Sequence, residues 1–160
     1  MRKKTPPVIS VVLPFHNEEK NLKRLLPSFK KQTYPRKKIE YLFIDDDSTD
    51  KSASLVKKFG VKAIKVKNHN STINKGLGMH KAKGDFIIWF DADMEIIPTN
   101  FFELMVKPLM DDPKIAGSFD SFEISGDIGK GIDSITRFLS FDPIHRDPLY
   151  SFLVPSVESR

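Results

Sequence analysis

Two carboxylates one residue apart, Asp91 and Asp93 flanking Ala92, follow the most apolar run of the chain, DFIIWF at 85–90. A pair at that spacing, just past a buried strand, suits a hard divalent cation. Mg²⁺ or Mn²⁺ takes oxygen ligands and shares them readily with phosphate. Such an ion would act as a Lewis acid and neutralise charge on a departing diphosphate. The same spacing also serves as a polar turn before the next helix, and the tripeptide alone fits both uses.

A second acidic cluster, DDDSTD at 45–50, closes another apolar run. Clustered carboxylates repel one another unless donors engage them. A ring N–H and the vicinal hydroxyls of a ribose are donors of the right kind. The competing use is local: Asp45 or Asp47 accepts from loop N–H groups, and Asp50 starts the next helix. A third polar run, PFHNE at 14–18, follows the first apolar segment. Lys75, near a predicted helix start, can reach a phosphate, and Gly76 allows close backbone approach. Gly76 and Gly78 do not form a dinucleotide fingerprint, because no strand leads directly into them. His80, alone on its helix, reads as a surface or packing residue.

These groups need a frame, and the hydrophobic pattern supplies one. Residues 8–13 are a β-branched apolar run, read as a buried strand stopped by Pro14. Asn17 is placed to cap the helix that follows, with Glu18 and Glu19 in its first turn. Leu22, Leu25, Leu26 and Phe29 recur at helical spacing, with a kink or restarted turn expected at Pro27. Residues 41–44 form a second strand. Ser48 or Thr49 caps a second helix, which stops at Gly60. Residues 61–66 read as a third strand, 68–72 as loop, 74–83 as a helix closing at Gly84, and 85–90 as a fourth strand. Pro98 opens a helix through about residue 110. Residues 115–124 read as a further strand and 128–139 as an amphipathic helix, packed in the core or laid on a membrane or acceptor surface. Strand and helix in alternation predict an α/β fold with a mostly parallel sheet. In such a sheet ligands bind beyond the carboxyl ends of the strands, where all three polar runs lie.

The chain has 160 residues, 39% of them hydrophobic and none cysteine. That suits one domain with its own core and excludes disulfides and cysteine-bound zinc. No run approaches the roughly 18 apolar residues of a spanning helix, and the basic N-terminus is no secretory signal. Cytoplasmic exposure is the expectation. Residues 1–38 carry 11 Lys/Arg against 2 Asp/Glu, whereas residues 39–160 carry 15 against 19. A basic leading third fits a solvated helix face, or an anionic partner such as a polyphosphate or the cytoplasmic face of a membrane. Nucleic acid is excluded as a partner, because carboxylates gather where the loops do and no aromatic–basic interleaving appears.

The ordered set of motifs resembles the family 2 glycosyltransferases over residues 8–124. VVLPFHNE at 11–18 looks like that family's opening strand and nucleotide loop. FIDDDSTD at 43–50 looks like its second-strand motif, with Asp47 where glycine is usual. NKG at 74–76 and AKGD at 82–85 lead into WFDAD at 89–93. The resemblance implies a Rossmann-like GT-A fold, a three-layer sandwich around the mostly parallel sheet. It implies one domain over 1–160, with the donor part in 1–125. Pro14, Asn17 and Glu18 would line the nucleoside pocket, Asp46 would accept from the base, and Lys75 would approach the diphosphate. Asp93 would bind Mn²⁺ or Mg²⁺ directly, with Ala92 beside it. Asp91 would contact the ribose or help hold the ion. The implied reaction moves a sugar, with inversion, from a UDP- or GDP-linked donor to a sugar or lipid-linked acceptor.

The family's acceptor half, with its catalytic base, has no clear match before Arg160. Asp120, Asp142, Asp147 and Glu158 are acids that nothing singles out, so no general base is assigned. A non-catalytic nucleotide- and metal-binding module is the alternative. A sugar nucleotidyltransferase would open with a glycine-rich loop, which PFHN at 14–17 lacks. A phosphatase with an aspartate nucleophile would carry its acidic pair on an early strand.

Overall fold

A computed structural model describes residues 5–115 and 117–118. The chain divides between Glu103 and Leu104 into two compact units, and the first carries every predicted site residue. The strands are β1 (Ile9–Phe15), β2 (Ile39–Asp46), β3 (Ile64–Val66) and β4 (Phe86–Trp89). The helices are α1 (Glu19–Lys30), α2 (Ser52–Phe59), α3 (Ser71–Lys81) and α4 (Phe101–Asp111). α4 begins in the first unit and continues into the second. The second unit's described part includes a bond from Ser118 Oγ to Met105 O, 2.6 Å. The predicted strand at 115–124 and helix at 128–139 lie outside the described residues but for Ile115, Gly117 and Ser118.

All strand pairs in the sheet are parallel, in the order β3-β2-β1-β4. The chain therefore builds outward from β1 through β2 to β3, then returns to place β4 on the other side of β1. The switch in strand order falls at β1, the position where open sheets of this kind bind their ligands between neighbouring loops. One face of the sheet is sealed by aromatic packing. Phe29 of α1 lies 5.1 to 6.3 Å, ring centre to ring centre, from Tyr41, Phe43, Phe59, Phe90 and Phe102. On the other face α3 sits close against β1. A Cβ at Gly78 would fall 2.3 Å from Val12 Cγ1 and 3.0 Å from Ile44 Cδ1. That glycine serves packing, since helix and sheet could not come so near with a larger residue.

Several local expectations change. β1 runs through Pro14 to Phe15. The even residues of β1 face β4, because Phe86 N donates to Val8 O and Phe90 N to Val12 O. Pro14 is the next even residue, at the point where β4 has already ended. Its missing N–H therefore removes no sheet bond and coincides with the parting of the two strands. α1 runs unbroken through Pro27, which lies on its exposed side, where the unpaired carbonyl one turn earlier can turn to water. β2 extends through Asp46, whereas β3 shrinks to three residues. α3 starts three residues before Asn74 and is capped by Asn70, whose side chain accepts from Ile73 N at 3.0 Å. Gly60 ends α2 with φ of 100°, as a left-handed stop requires.

Candidate donor-binding site

Because the strands are parallel, PFHNE at 14–18, DDD at 45–47 and DAD at 91–93 all emerge at one edge of the sheet. The first two loops are stitched together. Asn17 adopts φ of 53°, a left-handed conformation that asparagine tolerates better than most residues. Its Oδ1 accepts from Thr49 N at 2.8 Å and from Asp50 N at 3.3 Å. Its Nδ2 donates to His16 Nε2 at 3.1 Å, and His16 Nδ1 donates to Asp46 O at 2.5 Å. This pattern assigns the ring proton of His16 to Nδ1. Asn17 thus does not cap α1, contrary to expectation.

The N–H groups at the start of α1 are satisfied from the end of the other loop and the first residue of α2. Glu18 N donates to Ser52 Oγ at 2.8 Å and Glu19 N to Asp50 Oδ2 at 3.0 Å. Asp50 also accepts from Ser52 N at 2.9 Å, so it starts α2 in place of Ser48 or Thr49. Ser52 and Asp50 were not legible as caps for α1, since they lie more than 30 positions away. The carboxylate of Glu18 accepts from Asn21 Nδ2 at 2.6 Å.

Asp46 is 4% exposed and fully engaged. One oxygen accepts from Asn68 N at 3.0 Å and His69 N at 3.1 Å, and the other from Asn74 Nδ2 at 2.8 Å. Burial pushes its carboxyl up, but those three donors outweigh burial and hold it below the ordinary carboxylate range. The reading of Asp46 as an acceptor for a base edge thus meets a group already committed to the β3–α3 connection. Asn74, 1% exposed, orients the amide chain in turn, because its Oδ1 accepts from Asn68 Nδ2 at 2.8 Å. Asp47 sits at φ of 60°, which explains why a glycine suits this position. Lys67 pairs with Asp47 at 2.9 Å and lowers its carboxyl. Asp45 is buried and accepts from Ser48 N at 3.0 Å.

Replacing Asn74 by Asp would set a second carboxylate against that of Asp46. One proton shared between them would relieve the repulsion, so the pair would hold its proton above the unfolded range. Stability would then be lost as pH rises through that raised value. Thermal melts are expected to show a larger deficit for Asn74→Asp at about pH 8 than at about pH 5. A deficit independent of pH would count against this account of the cluster.

On the far side of β1 the third loop meets α3. Lys75 Nζ lies 2.7 Å from Asp91 Oδ1, with the two side chains 27% and 43% exposed. Sixteen positions apart in the chain, they are joined by the close seat of α3 on β1 and by β4 ending at Trp89. Ala92 is buried, whereas Asp93 is exposed. Among the described residues, no hydrogen-bond or ion-pair partner engages the Asp93 carboxylate, and no group of three or more His, Cys, Asp or Glu side chains gathers around a common point. Pro14 is buried at the mouth between β1 and β4, while His80 is exposed on α3. The polar network beneath was missed. Ser10 Oγ donates to Glu40 Oε2 at 2.6 Å and accepts from Gly84 N at 2.9 Å. An acid just ahead of the apolar run at 41–44, Glu40, was the available signal.

A parallel sheet with helices on both faces, and polar strand ends gathered beside a switch in strand order, defines a Rossmann-like α/β protein of the GT-A type. The sequence pattern described as Glycosyl transferase family 2 matches residues 10–151, and the chain belongs to that family. It is 34% identical over 106 residues to 4,4'-diaponeurosporenoate glycosyltransferase of Staphylococcus haemolyticus, covering 62% of this chain and 28% of that protein. The structure of S. aureus TarS 1-349 in complex with UDP-GlcNAc superposes with a TM-score of 0.56 at 26% identity, covering 65% of this chain and 31% of that one. The mannosyltransferase PcManGT from Pyrobaculum calidifontis, in complex with GDP-Man and Mn²⁺, shares the fold with a TM-score of 0.62 at 24% identity, covering 69% and 34%. The chain thus spans about a third or less of the length of these relatives.

Proposed function

We propose that this chain binds the donor in a metal-dependent, inverting transfer of a sugar from a UDP- or GDP-linked nucleotide to a sugar or lipid-linked acceptor. The observation that carries the proposal is the Lys75–Asp91 pair followed two residues on by the exposed carboxylate of Asp93, which has no partner among the described residues, at the carboxyl end of the sheet. An ammonium and two carboxylates there can hold a diphosphate and its counter-ion together.

The donor set fits Mg²⁺ or Mn²⁺. Such ions are commonly held by one or two carboxylates, with phosphate and water completing the sphere, so the lack of a third protein ligand is no obstacle. Asp93 would hold the ion, with Asp91 as the second carboxylate. When bound, the ion supplies charge neutralisation on the leaving diphosphate. Lys75 adds a positive charge on the same oxygens once the diphosphate draws it from Asp91. The stitched loops at Asn17 and Asp50 hold the nucleoside wall, with Pro14 and Glu18 lining it. The bond from the anomeric carbon to the diphosphate breaks as an acceptor oxygen attacks from the opposite side, which inverts the centre; a phosphate acceptor attacks already ionised, whereas a hydroxyl acceptor passes its proton to a base on the acceptor side.

Calorimetric titration of the chain with UDP and with GDP, each with and without Mn²⁺, tests this reading. Binding of one nucleotide that requires Mn²⁺ is expected and would name the base. Turnover of the matching donor sugar would then separate a transferase from the alternative, a binding module without transfer. Absence of binding by a chain that melts cooperatively would refute the donor site.

A further inference from the structure

We infer that the outer face of α1, together with the segment at 95–97, docks on an anionic lipid surface. α1 turns Leu22, Leu25, Leu26 and Phe29 into the core and leaves Lys20, Lys23, Arg24 and Lys30 exposed on its other side, continued by exposed Lys31 just past its end. Lys20 to Lys31 spans about 16 Å along the axis. The chain after β4 runs beside this helix, because Gln32 Nε2 donates to Pro98 O at 3.0 Å and Thr33 N to Thr99 O at 2.8 Å. Between them lies a cleft whose walls include Lys23, Arg24, Lys31 and Ile97.

Among the described residues, the acids beside this face are Glu19, Glu95 and Glu103, the last accepting from Thr33 Oγ1 at 2.8 Å. Glu19 pairs with Lys23 at 2.7 Å, and Glu95 lines the cleft. Lys30 and Arg36 each lie 5.5 Å from the ring centre of Phe59, which extends the positive face along one flank. Ile97 is 87% exposed at the border of the cations. A small anion would neutralise one or two of these charges and leave Ile97 in water. A lipid surface takes both, with headgroups along the helix and the isoleucine among the acyl chains. The apolar side of α1 is already used in the core, so the contact is mainly electrostatic, with Ile97 as an apolar anchor. The same segment leads back to Asp93, so docking would hold the candidate site close to the lipid surface. Docking does not depend on the donor reading.

Co-sedimentation with vesicles tests this. The full chain is mixed with phosphatidylcholine vesicles, or with vesicles of about equal phosphatidylcholine and phosphatidylglycerol, at about 50 mM and about 500 mM salt. Capture is expected only by the anionic vesicles at low salt. The variant Lys20→Gln/Arg24→Gln/Lys31→Gln is expected to lose about 100-fold in partitioning, and Ile97→Ser about tenfold. Both variants lie outside the donor site and should keep the nucleotide titration of the parent chain, so failure here is distinct from failure of the donor site. Equal capture by neutral vesicles, no capture by the folded parent, or full capture by the triple variant would each overturn the inference. So would binding to soluble inorganic polyphosphate, unchanged in Ile97→Ser, without vesicle capture.

Discussion

Asp46→Ala is expected to lower the melting temperature by on the order of 15 °C and to be the most damaging polar substitution in the first unit. The carboxylate collects the N–H groups of Asn68 and His69 and the amide of Asn74, all at 2.8 to 3.1 Å. Alanine would leave three donors without a partner where water has little access, and each such donor weighs heavily on stability. The damage would spread to α3, because the same connection delivers Lys75 to Asp91. Asp46→Asn should be milder. Its oxygen can still serve the two backbone donors, but its amide would face that of Asn74. Turning Asn74 over to meet it would set that residue's amide against Asn68 Nδ2, and Asn68 is in turn fixed because its Oδ1 accepts from Asn70 N at 2.9 Å. Circular-dichroism melts give the order directly. A fall of only a few degrees for Asp46→Ala would show that the cluster does not hold the connection together.

For Asp46 the pH dependence has a definite sign. Its carboxyl lies below the ordinary range in the folded state, so its stabilising effect is present above the unfolded value. It is lost as pH falls through the folded value. Asp47 and Asp50 are lowered as well, by Lys67 in the first case and, against burial, by bonds from Ser52 in the second. The loops at this edge should therefore loosen together in acid.

Asp93→Ala should act in the opposite manner, with a large effect on ligand and little on the fold. Its carboxylate is exposed and has no protein partner among the described residues, so its removal leaves nothing orphaned. If it holds the cation, Mn²⁺-dependent affinity for the nucleoside diphosphate should drop about 100-fold or more, since even residues that only orient a metal's ligands matter at the level of 10–100-fold. The melting temperature without ligand should stay within about 2 °C of the parent. Asp91→Ala removes a second carboxylate and also frees Lys75, so part of its effect should appear without metal. Titration of both variants with and without Mn²⁺ separates the two. Parent-like affinity for Asp93→Ala in Mn²⁺ would remove this residue from the site.

The alternation of strands and helices, the core face of α1 and the stop at Gly60 are all legible from the residues alone. These follow from local rules: hydrophobic period, and a backbone angle that glycine adopts freely. That the three polar runs share one edge is legible as well, because parallel strands always bring their carboxyl ends to the same side. Tertiary structure decided which partner each polar group meets. Asn17 reads as a cap by position, yet it bridges to Thr49 and Asp50, and α1 takes its caps from Asp50 and Ser52, more than 30 positions away. Pro14 reads as a stop, yet its register faces the side where β4 has already ended. Asp46 is drawn inward by Asn68, His69 and Asn74, whereas Asp93 stays exposed, with no partner among the described residues. Gly78 marks how near α3 comes to β1, which no periodicity reports. Hydrophobic period tells a segment which side to bury. Hydrogen-bond partners depend on strand order and on the distance between loops, and those exist only once the sheet has formed.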